Sequence, residues 1–535
     1  MGLELSVPDN AATPFSDLEL DPERVERWLA GLPLLDSSAT GGKLYANLQA
    51  YNRADVPADI RLALLERYRA PVRHLTLELR KHYVGVPLPL GARQQATAEQ
   101  SRHFALELAY GYKHVVLANS QLPGGRRRDA IESALPLQRA IRYLTETLLA
   151  SFLSYAPAPA KLWREIHTLY AHAERFGITT VEVPDNVNGI DGRGTVARAY
   201  KHALLLDLGD PYHLPSPMIV KMDQYLENYA DRASLRRGVG QTEPNCHFLI
   251  DLESDRAGIL HSKGTILQRA DRYGLLDTVE LARHIHSQLK QLQDGQVPAS
   301  RLPPDFYRAG GHELLLRLIN VWGINPKRTF RRSQRTNTGV EVAVGLDAIG
   351  YWLNGGRRFL PSSRRVGPFR PQDEAREPSA QAAEPEYALW NIEDESAGGM
   401  SMSHTGELRR RVAVGDVVAT RFTRDDPWTI NAVRWVRSPN PAHVEIGTER
   451  LAPAAVPVAI KVVADDNAES DFLAALLLPP IPALKQPQTL VTPRSVFRPQ
   501  RALVLDDGTK LRRLIAQRLV EAAQGFERIE FIEAS

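Results

Sequence analysis

Two stretches of the chain hold residue types that could bind a charged ligand. Asp394-Glu395-Ser396-Ala397-Gly398-Gly399 sets a carboxylate, a hydroxyl and a glycine at the spacing DxSxxG. Upstream, Lys327 to Arg335 (KRTFRRSQR) packs four arginines and a lysine into nine residues. A guanidinium is a planar fork of donors that matches phosphate oxygens in pairs. A carboxylate and a hydroxyl add acceptors, and a glycine permits a backbone path or close approach that a Cβ forbids. Each stretch also has a plainer reading: the arginines as a solvated or nucleic-acid-binding face, and DxSxxG as an ordinary loop. Their order and the elements around them decide between these readings.

Those elements are short strands. Gly339 to Leu346 (GVEVAVGL) begins soon after the arginines, and Met400-Ser401-Met402-Ser403 extends a strand out of DxSxxG. Asp416 to Phe422 (DVVATRF) and Trp428 to Val436 (WTINAVRWV) are dense in β-branched and aromatic residues, bounded by Gly415 and by Asp425-Asp426-Pro427. His443 to Leu451 (HVEIGTERL) follows, with Gly447 marking a bulge or bend.

An arginine lead-in, a strand, DxSxxG opening the next strand and a run of further strands together resemble the PilZ-domain family, the small β-barrel with which bacteria sense cyclic di-GMP. Its pattern is RxxxR followed by [D/N]xSxxG. Asp394, Ser396 and Gly399 fill the second half. The first half is met by Arg331 and Arg335 or by Arg328 and Arg332, with the former pair favoured by its distance from the strand. About sixty residues separate the two halves, more than the family pattern has. The excess, Asp347 to Glu386, reads as an insertion between two barrel strands.

The resemblance implies that cyclic di-GMP is the ligand and that no cofactor is needed. Arg331 and Arg335, with Arg328 and Arg332 as the alternative pair, would grip guanine edges or phosphates. Asp394 would accept from guanine N1–H and N2–H, Ser396 would reach a phosphate or base edge, and Gly399 would let the backbone come close. Trp428 and Trp435 share one strand with Ile430 and Val433. Core packing is expected for at least one of them, and an exposed one could stack on a base. The implied protein is an effector, not an enzyme. The alternative is a helical scaffold whose PilZ-like barrel binds no nucleotide. Nucleic-acid binding through the arginine cluster is a third reading and is not expected.

Composition narrows the class. A chain of 535 residues exceeds one ordinary core. With 43% hydrophobic and 24% charged residues it reads as globular, and its net charge of +3 gives no polyelectrolyte signal for nucleic acid or membrane. The lone Cys246 excludes an intrachain disulfide and a cysteine-based zinc site. MGLELSVPDN shows no secretory pattern, and Phe472 to Leu484 is too short to span a bilayer. A cytoplasmic protein is the expectation.

The expected fold is multidomain α+β: a mainly helical N-terminal domain, TPR-like in outline, then a PilZ-like antiparallel β-barrel and a small C-terminal α/β tail. Residues 1–20 read as a loose tail and 21–325 as the helical domain with a small β insertion. The barrel is expected over 326–460, with a flexible insertion at about 350–388, and a β-rich extension over 461–535. Asp21-Pro22 starts a first helix that Gly31 closes. Ile60, Leu64, Tyr68, Val72, Leu75 and Leu79 line one face of the next, with Pro71 inside it. Phe104, Leu108 and Tyr112 share a face, as do Ile141, Leu144, Leu148 and Phe152, and then Leu162, Ile166, Leu169, Tyr170 and Ala173. Further helices are expected over 194–208, 216–229, 277–292, 311–322 and 347–353. Thr179 to Val183, His247 to Leu252 and Gly258-Ile259-Leu260 suggest a short sheet among the helices. Near the C-terminus, Lys510 to Ala523 reads as a helix and Phe526 to Ile532 as a strand. The large helical domain is expected to offer a surface to a protein partner, and no membrane insertion is expected.

Other sites are declined. His284 and His286 stand two apart on a helix and point differently, so they make no metal pair. Gly189 to Thr195 lacks the phosphate-loop spacing. Asp207, Asp210, Asp251 and Glu253 are better explained by helix ends and turns, and no hydrolase, zinc or dinucleotide signature is present.

Overall fold

The computed structural model describes the chain apart from residues 1–2, 12–17, 34–36, 122–128, 188–191, 239–245, 262–271, 304, 324–332, 363–384, 464–468, 483–484 and 535. Side chains at 37–39, 309 and 335–337 are likewise outside the description. The chain divides into two compact units, one of residues 1–86 and 90–327, the other of 87–89 and 328–535.

The first unit is mainly helical: α1 (Pro22–Ala30), α2 (Ser37–Arg53), α3 (Ala58–Arg80), α4 (Ala92–Ser120), α5 (Ala130–Leu153), α6 (Leu162–Arg175), α7 (Val196–Leu208), α8 (Ser216–Tyr229), α9 (Val279–Gln293) and α10 (His312–Gly323). Local chemistry sets several starts. The Asp21 carboxylate caps α1 through the Glu23 N–H at 2.9 Å, and Asp129 caps α5 through the Glu132 N–H at 2.7 Å. The expected faces are buried: Leu64, Tyr68 and Leu75 of α3, Phe104, Leu108 and Tyr112 of α4, and Ile141 and Leu148 of α5 are all inside. Helix α2 lies where Gly41-Gly42 masks the helical signal, yet Leu44, Leu48 and Tyr51 recur on its buried face. Within 1–20, the Ser6 N–H donates to the Glu165 carboxylate at 2.8 Å. The Tyr51 hydroxyl donates to the Glu19 carbonyl at 2.8 Å.

The sheet among the helices differs from expectation in one strand. Strands β3 (Ser234–Arg237), β4 (His247–Asp251), β5 (Ile259–Leu260) and β6 (Tyr273–Asp277) form a sheet of order β3-β6-β4-β5. Thr179 to Val183 does not join it. Only Val183–Pro184 (β1) is extended, paired with Arg193–Gly194 (β2). The cause is the next residue: Asp185 is buried and ion-paired to Arg69 of α3 and, at 3.2 Å, to Arg139 of α5. Those bonds tie the segment to the helices.

The second unit holds two closed barrels. The first comprises β7 (Ser333–Val344), β8 (Ala388–Ser396), β9 (Gly399–Thr405), β10 (Val417–Arg421), β11 (Thr429–Asn440) and β12 (His443–Ala452). Its order is β10-β11-β12-β9-β8-β7, closed by β10 on β7. The second comprises β13 (Val456–Val462), β14 (Leu473–Leu478), β15 (Thr489–Thr492), β16 (Ala502–Asp506), β17 (Leu511–Ala522) and β18 (Glu527–Glu533), closed by β13 on β16. Closure removes the sheet edges that would otherwise invite pairing. Helix α11 (Leu346–Leu353) follows β7. Its Ala348 and Ile349 join Trp428 and Ile430 of the first barrel and Leu476, Val491 and Phe526 around the second in one core.

The helix expected over 510–523 is instead the long strand β17. Its leucines, arginines and alanines are good helix formers, but Leu514 and Ala516 alternate inward, and the register to β16 and β18 decides. Asp507 fixes the preceding turn by accepting the Thr509 and Lys510 N–H groups, each at 3.0 Å. The C-terminal region is therefore an all-β barrel.

Candidate ligand-binding face

Asp394 and Ser396 end β8, and Gly399 opens β9. Ser396 pairs with Gly399 across a two-residue turn, so the motif is the tip of a hairpin. The Ser396 hydroxyl donates to the Gly399 carbonyl at 3.1 Å. Gly399 has φ +157°, and a Cβ there would lie 1.9 Å from the Thr448 carbonyl oxygen of β12. Glycine is needed for that approach. The Arg450 N–H donates to the Gly398 carbonyl at 2.8 Å, which ties the turn to β12.

Cross-strand register places these residues on a face. Trp435 pairs with Gly447, Gly447 with Ser401, Ser401 with Asp394, and Asp394 with Gln334. The neighbouring row is Val436, Ile446, Met402 and Ile392, all buried. Because side chains alternate, that apolar row fills the barrel and the first row lies on the opposite side of the sheet, where Ser401 and Gly447 are covered. Asp394 and Trp435 are half-buried on this outer row.

Trp435 lies over Gly447, where a Cβ would fall 1.8 Å from the indole Nε1. Strands stand about 4.8 Å apart, so Gly447, two strands from Asp394, puts the indole roughly 10 Å from that carboxylate. Trp428, in contrast, is only 5% exposed and belongs to the core. It packs at a tilt on Trp352 and edge-to-face on Tyr387, and the Arg421 guanidinium sits 4.4 Å from its ring centroid.

Arg335 lies in β7, one residue beyond the Gln334–Asp394 pair, within a bulge that runs to Thr338. Its side chain is outside the description, and Arg328, Arg331 and Arg332 lie outside the described residues. The start of β7 and the end of β8 thus share one end of the hairpin. The long insertion leaves from the other, beyond the Val342–Ala388 pair. Asp394 lies six positions along β8 from Ala388 of that pair, or about 20 Å. The insertion is closed at its base by Trp352 against Tyr387, with ring centroids 5.0 Å apart. Its spacing leaves the motif's geometry undisturbed.

Two arginines near the motif escaped the sequence reading. The Arg450 guanidinium lies 3.5 Å from the Ala397 carbonyl and 4.0 Å from the Glu395 carboxylate. That of Arg437 lies 5.7 Å from the Trp435 ring centroid. Arg450 belongs to a stretch recognised only as a strand and Arg437 lies just past another, and the sequence does not fix which residue falls opposite which.

The declined sites do not assemble. Asp207 accepts the Trp163 indole N–H at 2.9 Å, while Asp251 and Glu253 share Arg272. His284 of α9 packs on Tyr229, and no metal-binding group of three such side chains occurs among the described residues. Gly189, Ile190 and Asp191 lie outside the described residues, and Thr195 caps α7. Among the described residues, no helix is long and apolar enough to cross a membrane.

Residues 247–365 and 363–457 match a family model described as the middle PilZ domain of the cyclic-di-GMP receptor FimW. The chain belongs to the PilZ-domain family. The PilZ match begins well before β7, so the family's middle domain is wider than the barrel. Residues 23–240 match the N-terminal domain model of the same receptor, and residues 458–534 match its C-terminal β-barrel model. Over its full length the chain is similar to the cyclic-di-GMP receptor FimW of Pseudomonas aeruginosa, 28% identical over 99% of this chain and 94% of the relative. No solved structure matches the chain significantly.

Proposed function

We propose that this protein is a cytoplasmic receptor for cyclic di-GMP, bound on the outer face of the PilZ barrel. The observation that carries the reading is the outer row that joins Asp394 to Gln334 and so brings Arg335 beside the Ser396–Gly399 hairpin. Arg331 and Arg335 grip guanine or phosphate, with Arg328 and Arg332 as the overlapping pair. Asp394 accepts from a guanine edge, Ser396 offers its hydroxyl, and Trp435 stacks on the second base. The name of the Pseudomonas relative supports the same ligand. Nothing in this reading calls for catalysis.

The two units divide at Lys327/Arg328, inside the arginine cluster. Free arginines there repel one another, and a dinucleotide neutralises them. Ligand binding therefore relieves that repulsion, and the helical unit passes the change to a protein partner. The alternative is a scaffold whose barrel binds no nucleotide.

Calorimetric titration with cyclic di-GMP, beside GTP and cyclic di-AMP, separates the two. Selective micromolar or tighter binding, lost in Arg331→Ala/Arg335→Ala, is the expected result. No heat and no thermal shift at saturating ligand would leave the scaffold.

A further inference from the structure

The helical unit contains a cavity of about 970 Å³ that the cyclic di-GMP reading does not use. It lies where β2, the start of α7, the end of α8 and α9 meet. Its volume is at the upper end of small-molecule sites, roughly 300–1,000 Å³. Arginines reach it from four separate segments: Arg193 of β2, Arg198 of α7, Arg232 just after α8, and Arg301 beyond α9. Among the described residues, two carboxylates share the lining, Glu182 and Asp231.

Both carboxylates are already engaged. Glu182 pairs with Arg193. Asp231 lies 3.5 Å from Arg198 but is also held by Lys201 at 2.9 Å. Arg232 stacks over Tyr229, 5.8 Å from its centroid, with no carboxylate partner among the described residues. Helix α7 points its N-terminus at the same place: Thr195 caps it, and its first turn carries no acid to offset the dipole. The wall adds His284, 4.5 Å from Tyr229. Burial and the nearby Arg232 lower its pKa to about 4, so the ring is neutral at pH 7. Its buried Nε2 has no hydrogen-bond partner.

We propose that this cavity is a binding site for a small molecule bearing two linked phosphates, nucleotide in size. Guanidinium forks take phosphate oxygens in pairs, and two linked phosphates can reach donors on opposite walls that a single one cannot. The site is an open groove on which arginines converge from separate segments, an arrangement that suits a compact anion. This site is independent of the barrel and does not rest on the cyclic di-GMP reading.

The test is calorimetric titration of the full chain with inorganic pyrophosphate. Saturable binding is expected, weakened at least about tenfold in Arg232→Glu/Arg301→Glu and unchanged in Arg331→Ala/Arg335→Ala. If the double reversal melts early, Arg301→Ala alone, at an exposed position, should still weaken binding. No heat at millimolar pyrophosphate overturns the proposal. So does binding that survives these changes, or that is lost only with Arg331 and Arg335, because the anion would then sit elsewhere.

Discussion

The indole of Trp435 rests on Gly447, in the space a Cβ would occupy. An extra residue, Arg434, bulges β11 just before it, so Trp435 faces Gly447 where Val433 faces Thr448. The bulge and the glycine together lay an aromatic surface on the same outer row as Asp394. Base–aromatic stacking is worth roughly 1–3 kcal/mol per base. Trp435→Ala should therefore weaken cyclic di-GMP binding about tenfold or more while leaving the melting temperature nearly unchanged. Gly447→Ala should weaken binding too, by displacing the indole, and should also lower stability. Calorimetry and thermal melts on the two variants check this pair.

Gly399 and Ser396 should separate folding from binding. A Cβ at Gly399 meets backbone, the Thr448 carbonyl at 1.9 Å, and backbone cannot swing aside. Gly399→Ala should cost at least about 3 kcal/mol and unsettle the β9–β12 pairing. Ser396→Ala loses one hydrogen bond to the Gly399 carbonyl, about 1 kcal/mol. Its fold should persist while ligand affinity falls. Denaturant melts beside titrations distinguish the two outcomes.

Helical faces were legible in the sequence because contacts at three and four residues lie within one element. Phe104, Leu108 and Tyr112 needed no partner to be recognised as inward. Asp394, Ser396 and Gly399 were legible for a similar reason: they belong to one hairpin whose geometry is local. What long-range register or ion pairing decides was not legible. Asp185 leaves the sheet for Arg69, 116 residues away. The segment from Leu511 to Ala522 is a strand because β16 and β18 flank it, although its composition favours a helix. Arg450 reaches the motif turn across a strand pairing that no periodicity reveals.

Arg434 also joins the two barrels. Its guanidinium is shared between Glu449 of the PilZ barrel, at 2.6 Å, and Glu521 of β17. Burial alone would lower its pKa, but the two carboxylates more than offset this and raise it. Glu521→Gln leaves Glu449 as the one acid of that pair, which should cost about 1–2 kcal/mol. A double-mutant cycle with Arg434→Met should return a coupling energy of at least about 0.5 kcal/mol. A cycle that sums to zero would mean the ion pair contributes nothing to the docking of the barrels.

Glu66 gives the helical unit a predictable acid limit. Its carboxylate takes Arg139 at 3.0 Å and Arg69 at 2.9 Å, and the Tyr112 hydroxyl donates to it at 2.6 Å. Burial pushes this carboxyl up, but Arg139 and Arg69 outweigh it and hold it below its ordinary value. A carboxyl depressed in the folded state binds its proton more readily once unfolded. Its stabilisation is therefore complete above the ordinary glutamate pKa of about 4.3 and is lost as pH falls through the lower folded value. Glu66→Gln leaves Arg69 and Arg139 with Asp185 as their remaining carboxylate partner, and should cost about 3 kcal/mol at pH 7. Urea melts at a series of pH values should show wild type and variant converging below about pH 4. A gap that stays constant from neutral to acid pH would show that the loss comes from packing and not from the charge on Glu66.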